Sequence, residues 1–188
     1  MPGKKILMLT GEFTEEYEIF VYQQAMEAVG HTIHVICPDK KAGELIKTSL
    51  HDFEGDQTYT EKLGHFALIN KTFSEAEVQV ATYDAVYCAG GRGPEYIRTD
   101  KRIQAIVRHF HEAKKPIFTI CHGVQIGIMH LAEFLGVSPY ELETTWIGTN
   151  HYHWFMSIRH QGRDIYDEVR QKMATAAPPE GGEMTQRL

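Results

Sequence analysis

The chain is poor in cysteine: Cys37, Cys88 and Cys121 are the only three among 188 residues. An odd, scattered set in a chain of this length does not make a disulfide framework, which excludes a small secreted scaffold and points to a reducing, cytoplasmic setting. Long apolar runs are missing too. Met1 to Phe13 hold only the short stretch Ile6 to Leu9, far below a signal-peptide core or a membrane span, so neither export nor a membrane partner is expected. Positive charge is scarce, with 19 Lys and Arg against 25 Asp and Glu and a net charge of −6. No basic stripe could neutralise phosphates, so nucleic acid is not an expected partner. Apolar residues are not scarce. At 43% hydrophobic and 23% charged, the chain can bury a core and is too apolar for wholesale disorder.

Local patterns alternate between strand and helix. Lys4 to Leu9 is a compact apolar run broken by Gly11, as a buried parallel strand shows. From Glu15 to Gly30, Ile19, Tyr22, Met26 and Val29 recur at helical spacing. A second strand, His31 to Cys37, closes at Pro38. Lys41 to Phe73 reads as an inserted hairpin around Thr58 to Thr60 and Phe66 to Ile69. Ala85 to Cys88 is a third strand, running into the functional-looking loop Gly90-Gly91-Arg92-Gly93-Pro94. Ile103, Ile106, Val107 and Phe110 mark an amphipathic helix, and Ile117 to Ile120 a further buried strand.

Such alternation predicts a parallel sheet covered on both faces, with functional groups at the carboxyl ends of its strands. After Gly136 the pattern changes. Ser138 to Glu141 can start a short helix, Thr144 to Ile147 and the run through Trp154, Met156 and Ile158 read as strands, and Asp164 can cap a last helix to Ala174. Residues 1–174 are expected to form one domain, and Thr175 to Leu188, with two prolines and two glycines, a tail.

Chemistry concentrates at Cys121-His122-Gly123, between the Ile117 to Ile120 strand and the almost uncharged helical stretch Val124 to Ala132. A cysteine on such a turn lies near unpaired amides and the positive end of a helix dipole, which favour thiolate. His122 can serve as base or orienter, and Gly90 and Gly91 can offer amide donors to an oxyanion. A buried, inert Cys121 is the plainer alternative; Cys37 and Cys88 read as core.

Ala89 to Tyr96 (AGGRGPEY) and Ile117 to Gly123 (IFTICHG) resemble the ThiJ/PfpI family, as do Gly11 to Glu18 (GEFTEEYE), Pro38 to Gly43 (PDKKAG) and His51 to Tyr59 (HDFEGDQTY). The resemblance covers roughly residues 1–127. It implies an α/β fold, a flavodoxin-like three-layer sandwich with a mostly parallel central sheet, and a catalytic Cys121 whose sulfur is met by a protonated Glu18. Glu15 and Glu16 then read as solvated helix-start acids. His122 and Glu95 would complete a Cys-His-Glu arrangement, Glu95 crossing an oligomer interface in the protease-like branch. The implied substrates are small reactive aldehydes or glycated proteins, handled by glyoxalase or deglycase chemistry in a homodimer or larger homo-oligomer with no cofactor. Intracellular peptidase activity is the nearest alternative. A redox-sensing or chaperone protein without turnover is another, since an accessible thiol beside an acid can be oxidised.

Beyond residue 127 the family's expected ending is not recognisable, leaving an atypical C-terminal part. Leu131 to Val137, Trp146 to His151 and Trp154-Phe155 instead resemble family-four glycoside hydrolases, in which Cys121 and His151 would be metal ligands beside a nicotinamide cofactor. The loop Gly90 to Gly93 lacks the G-x-G-x-x-G spacing of a dinucleotide site, and two ligands alone make a weak metal site. The leading expectation is therefore no metal and no cofactor.

Overall fold

The computed structural model describes residues 2–50 and 62–138, together with the backbone of three later strands. In chain order the elements are β1 (Lys5–Leu9), β2 (Thr14–Glu15), α1 (Glu16–Ala28), β3 (Thr32–Ile36), β4 (Leu45–Leu50), β5 (Lys62–Leu68) and α2 (Phe73–Val78). They continue with β6 (Ala85–Cys88), α3 (Gly93–Ile97), α4 (Lys101–Glu112), β7 (Ile117–Thr119), α5 (Val124–Leu135), β8 (Leu142–Gly148), β9 (Trp154–His160) and β10 (Arg163–Asp164). They fall into two compact units, residues 1–130 and 131–188.

The first unit is built on a four-stranded sheet in the order β3-β1-β6-β7, all parallel. Each strand reads as an almost continuous apolar run because both of its faces are covered, and the side chains alternate between two cores. Leu7, Leu9, Val86 and Cys88 face one side, where Ile103, Ile106, Val107 and Phe110 of α4 and Ile126 of α5 pack on them. Ile6, Met8, Ala85 and Tyr87 face the other, under Ile19, Tyr22 and Met26 of α1. The result is the expected flavodoxin-like α/β sandwich. The α4 spacing that reads as amphipathic in the sequence is the stripe that is buried, and Asp100 caps that helix by accepting the Arg102 N–H at 2.8 Å.

A second sheet, β2-β4-β5, flanks α1. The inserted hairpin exists but is made of β4 and β5, paired antiparallel from Leu45↔Leu68 to Leu50↔Lys62; Thr58 to Thr60 lie outside the described residues. Thr48 and Ser49 are buried in β4 because their hydroxyls donate to the carbonyls of His65 and Phe13. Glu15 and Glu16 are not the solvated acids expected. Glu15 is buried and accepts the Tyr17 N–H as the α1 cap. Glu16 holds the Nδ1 of His65 at 3.0 Å and the Thr48 hydroxyl at 3.2 Å. His65 and Thr48 are distant from Glu16 in sequence, so its pairing was not legible there.

In the second unit β8, β9 and β10 form an antiparallel sheet, with β8 and β9 in register from Leu142↔His160 to Gly148↔Trp154. These are the strands expected around Thr144 to Ile147 and Trp154 to Ile158. The helix expected up to Ala174 and the tail from Thr175 lie outside the described residues. Among those described, no helix is long and apolar enough to cross a membrane.

Candidate active site

Parallel strands deliver their carboxyl ends to one edge of the sheet, and there the candidate residues meet. The chain leaves β7 at Ile120, whose N–H bonds the Cys88 carbonyl at the end of β6. It then turns sharply through a single 3-10 turn, Cys121–Gly123, into α5. Cys121 has a φ of 50°, a left-handed conformation that costs a non-glycine residue about 1–3 kcal/mol and is retained where surrounding structure enforces it. Gly123 is required because any Cβ there would run into the Cys88 carbonyl. Gly90 is required for a similar reason: a Cβ would lie 2.6 Å from Glu18 Oε2 and 2.7 Å from the Cys121 Cβ.

Glu18, in the first turn of α1, reaches across to this elbow. Its Oε2 accepts the Gly90 N–H at 2.6 Å, and its carboxyl also bonds the Cys121 thiol. Burial pushes the Glu18 carboxyl above the usual range; the Gly90 N–H opposes the shift and the charge of Glu15 adds to it. Glu18 is thereby a weaker acid than a free glutamate. Cys121 itself is an exposed residue, yet partial burial of its sulfur and the Glu18 charge push the thiol up. The N–H groups of Gly91 and His122 pull it down. These are the amides the sequence leads one to expect, but they are outweighed, so the expected thiolate-favouring shift is not what the resting site displays. The opposition from Glu18 lasts only while that acid is ionised; once Glu18 is protonated, its carboxyl can donate to a thiolate.

Three further expectations are modified by the geometry. The Gly90 N–H is not free for an oxyanion because Glu18 takes it, while the Gly91 N–H faces the sulfur. His122 is exposed, and its Nδ1 lies 3.0 Å from the Gly91 carbonyl. A carbonyl only accepts, so Nδ1 carries the hydrogen and Nε2 is left as the basic nitrogen. Glu95, in the first turn of α3, is held by Arg92 Nε at 2.9 Å. The orienting acceptor on His122 is therefore a backbone carbonyl. Cys121, Glu18, Gly90, Gly91 and His122 come together within one chain, and Glu95 is tied to Arg92.

Two contributors escaped the sequence reading. Glu15 donates its backbone N–H to the Gly90 carbonyl at 3.2 Å, fixing the loop against α1. Tyr87, in β6, donates its hydroxyl to the Glu18 carbonyl at 3.1 Å and stacks on Tyr22 with ring centroids 3.7 Å apart. A tyrosine within an otherwise aliphatic strand was the available signal, since a buried hydroxyl needs a partner. Cys37 and Cys88 are buried, as expected of core residues, and burial pushes each thiol up to about 12. No group of three or more His, Cys, Asp or Glu among the described residues is placed to hold a metal ion. His151 lies outside those residues.

Comparison with known proteins agrees with the fold and the motifs. The DJ-1/PfpI family matches residues 4–180, running past residue 127, where recognisable motifs end. Protein DJ-1 homolog D of Arabidopsis thaliana is 43% identical over 124 residues, covering 66% of this chain and 31% of that protein. Protein/nucleic acid deglycase 2 of Escherichia coli is 32% identical over 126 residues, covering 67% of this chain and 64% of that one. The chain thus spans about a third of the plant relative and less than two thirds of the bacterial one. Among solved structures, a ThiJ/PfpI domain protein from Brachyspira murdochii aligns with a TM-score of 0.53 at 24% identity, over 70% of this chain and 66% of the other. That likeness is one of fold.

Proposed function

The chain belongs to the DJ-1/PfpI family, and on that premise we propose that it is a cysteine-dependent enzyme acting on small reactive aldehydes or on their adducts with proteins. The observation that carries this reading is the half-buried Glu18 carboxyl at the Cys121 sulfur. A carboxyl that is a weaker acid than a free glutamate, set beside a nucleophile, can take up the thiol's proton and hand it on to an oxygen.

For a 1,2-dicarbonyl substrate, the Cys121 sulfur adds to the aldehyde carbon. A carbon–sulfur bond forms, the carbonyl π pair moves to oxygen, and the proton lost by the thiol reaches that oxygen through Glu18, giving a hemithioacetal. His122 Nε2 then takes the hydrogen from the former aldehyde carbon, and a proton is returned to the neighbouring carbon. The neighbouring ketone is thereby reduced to an alcohol while the sulfur-bearing carbon becomes a thioester. Water cleaves the thioester, releasing a 2-hydroxy acid and regenerating the thiol. Oxidation and reduction balance within the substrate, so no cofactor is needed. The enzyme works in the cytoplasm as a homodimer or larger homo-oligomer, and there Glu95 can serve a neighbouring subunit.

Release of lactate from methylglyoxal, followed by proton NMR, tests the reading. Cys121→Ser is expected to lower turnover at least a thousandfold. Turnover unchanged in Cys121→Ser would overturn it. A reactive Cys121 with no turnover of glyoxal or methylglyoxal would favour a redox-sensing protein, and cleavage of unglycated peptides would favour the peptidase alternative.

A further inference from the structure

The end of β6 is a common frame for the acid and the thiol, because the short segment from Tyr87 to Gly90 holds both. On one side the Gly90 N–H bonds Glu18 Oε2, and the Gly90 carbonyl accepts the Glu15 N–H, which ties the first turn of α1 to the loop. On the other, the Cys88 carbonyl accepts the Ile120 N–H at 3.2 Å, which ties down the residue before Cys121. A further contact comes from the Tyr87 hydroxyl, given to the Glu18 carbonyl at 3.1 Å across 69 residues of sequence.

Packing alone does not call for that hydroxyl. The rest of β6 is Ala85, Val86 and Cys88, and residue 87 stands in register with Met8 on β1 and Phe118 on β7. An aliphatic side chain would serve there, in a strand covered on both faces. A buried tyrosine instead needs a partner for its O–H, and this one takes the carbonyl of the acid-bearing residue. Its ring lies flat on Tyr22, with centroids 3.7 Å apart and 9° between the planes. Tyr22 is one helical turn beyond Glu18, so its own N–H is the one that α-helical geometry directs to the Glu18 carbonyl. One carbonyl is thus gripped twice, by the Tyr22 main chain and by the Tyr87 hydroxyl, and the stacked rings lock the two tyrosines together. The Glu18 backbone cannot lift from the sheet without breaking this grip, while its carboxyl is steered to Gly90 and Cys121.

We propose that Tyr87 is a positioning residue: with Tyr22 it fixes the backbone of Glu18 against β6, and so sets the distance between the acid and the Cys121 sulfur. The inference rests on the reading of Cys121 and Glu18 as the reacting pair, but its main readout needs no substrate. The groups that face the Glu18 carboxyl are Glu15, the Gly90 N–H, Cys121 and His122, and Tyr87→Phe alters none of them.

The test is the pH dependence of Cys121 alkylation by iodoacetamide in Tyr87→Phe, which keeps the ring and the stack and deletes the O–H. The charge of Glu18 helps to push the thiol up, so releasing the acid should move the midpoint down by about 0.5 pH unit, the worth of one hydrogen bond. In the Glu18→Gln background the shift should be lost, because a residue that acts through the acid has nothing left to act on. Tyr22→Leu, which removes the stack, should move the midpoint in the same direction. Tyr83→Phe deletes another buried hydroxyl, 2.8 Å from His34 Nδ1, and should leave the midpoint in place. With methylglyoxal, Tyr87→Phe should lower kcat roughly three- to tenfold at unchanged KM. The proposal is overturned if the midpoint in Tyr87→Phe matches wild type, if the shift persists undiminished beside Glu18→Gln, or if Tyr83→Phe produces an equal shift. Absence of any methylglyoxal turnover would overturn the proposed activity, and the alkylation midpoints would still decide the role of Tyr87.

Discussion

Glu18 Oε2 and the Gly90 backbone N–H, 2.6 Å apart, join the first turn of α1 to the loop after β6 across 72 residues of sequence. The bond holds the acid against the Cys121 sulfur and leaves no room for a side chain at residue 90. Gly90→Ala is therefore expected to destabilise the fold by about 1–3 kcal/mol, the usual cost of overpacking, and to displace Glu18 from the thiol. Urea denaturation and methylglyoxal turnover on the same protein measure the two effects; an unchanged turnover would show that the glycine serves packing alone.

Glu18→Gln removes the charge that helps to push the Cys121 thiol up. The pH midpoint of Cys121 alkylation should therefore move down. Turnover should nonetheless fall by roughly 10²–10⁴-fold, the range general acid–base groups supply, because the amide cannot pass a proton. Iodoacetamide labelling across pH, read beside lactate release, separates the two. A midpoint that rises would mean that Glu18 acts mainly as a hydrogen-bond donor to the sulfur in the resting protein.

The three thiols should react in a fixed order. Cys121 is exposed, whereas Cys37 and Cys88 are buried with their thiols pushed up to about 12. In the native protein between pH 7 and about 9, close to the ordinary thiol value, peptide mass spectrometry should find label on Cys121 alone. All three should label alike in strong denaturant. Early labelling of Cys88 would imply that the end of β6 opens readily.

Arg102 binds two carboxylates, Asp100 Oδ2 at 2.6 Å and Asp39 Oδ1 at 2.7 Å, while its guanidinium lies 4.9 Å from the Phe73 ring centroid. Hydrogen bonds from Arg102 hold both acids below their usual range. Depressed carboxylates stabilise the folded state above their ordinary pKa, and the contribution is lost as pH falls through the lowered value. Arg102→Gln should thus lower the thermal midpoint modestly at pH 7 and low salt. The difference from wild type should shrink at about 1 M salt, where screening is short-ranged, and as pH falls below the ordinary carboxylate range and these acids take up protons. A difference independent of both would assign the loss to packing on Phe73.

What could be read from the sequence was whatever depends on near neighbours. Ile103, Ile106, Val107 and Phe110 display the α4 stripe within eight residues, and it is buried as written. The elbow at Cys121 was equally plain, because a strand, a turn and a helix adjoin there. The strand β4 was not, since Thr48 and Ser49 are buried only by bonding carbonyls elsewhere in the chain. The same limit applied to the acids and the thiol. Glu16 finds His65 across 49 residues, and Cys121 meets an acid from the far end of the domain. Local amides predict a lowered thiol, while the burial and charge that outweigh them arrive by tertiary packing.

The elbow draws on three strands' worth of chain: α1 behind β1 brings Glu18, the loop after β6 brings Gly90 and Gly91, and β7 brings the sulfur. None of these is held near the others by sequence alone. The chemical character of Cys121 is therefore a property of the assembled sheet, and it should vanish in a single step when the sheet comes apart. A thiol of this kind is a built-in gauge of folding: its labelling rate reports whether three distant segments are in register, without any added probe.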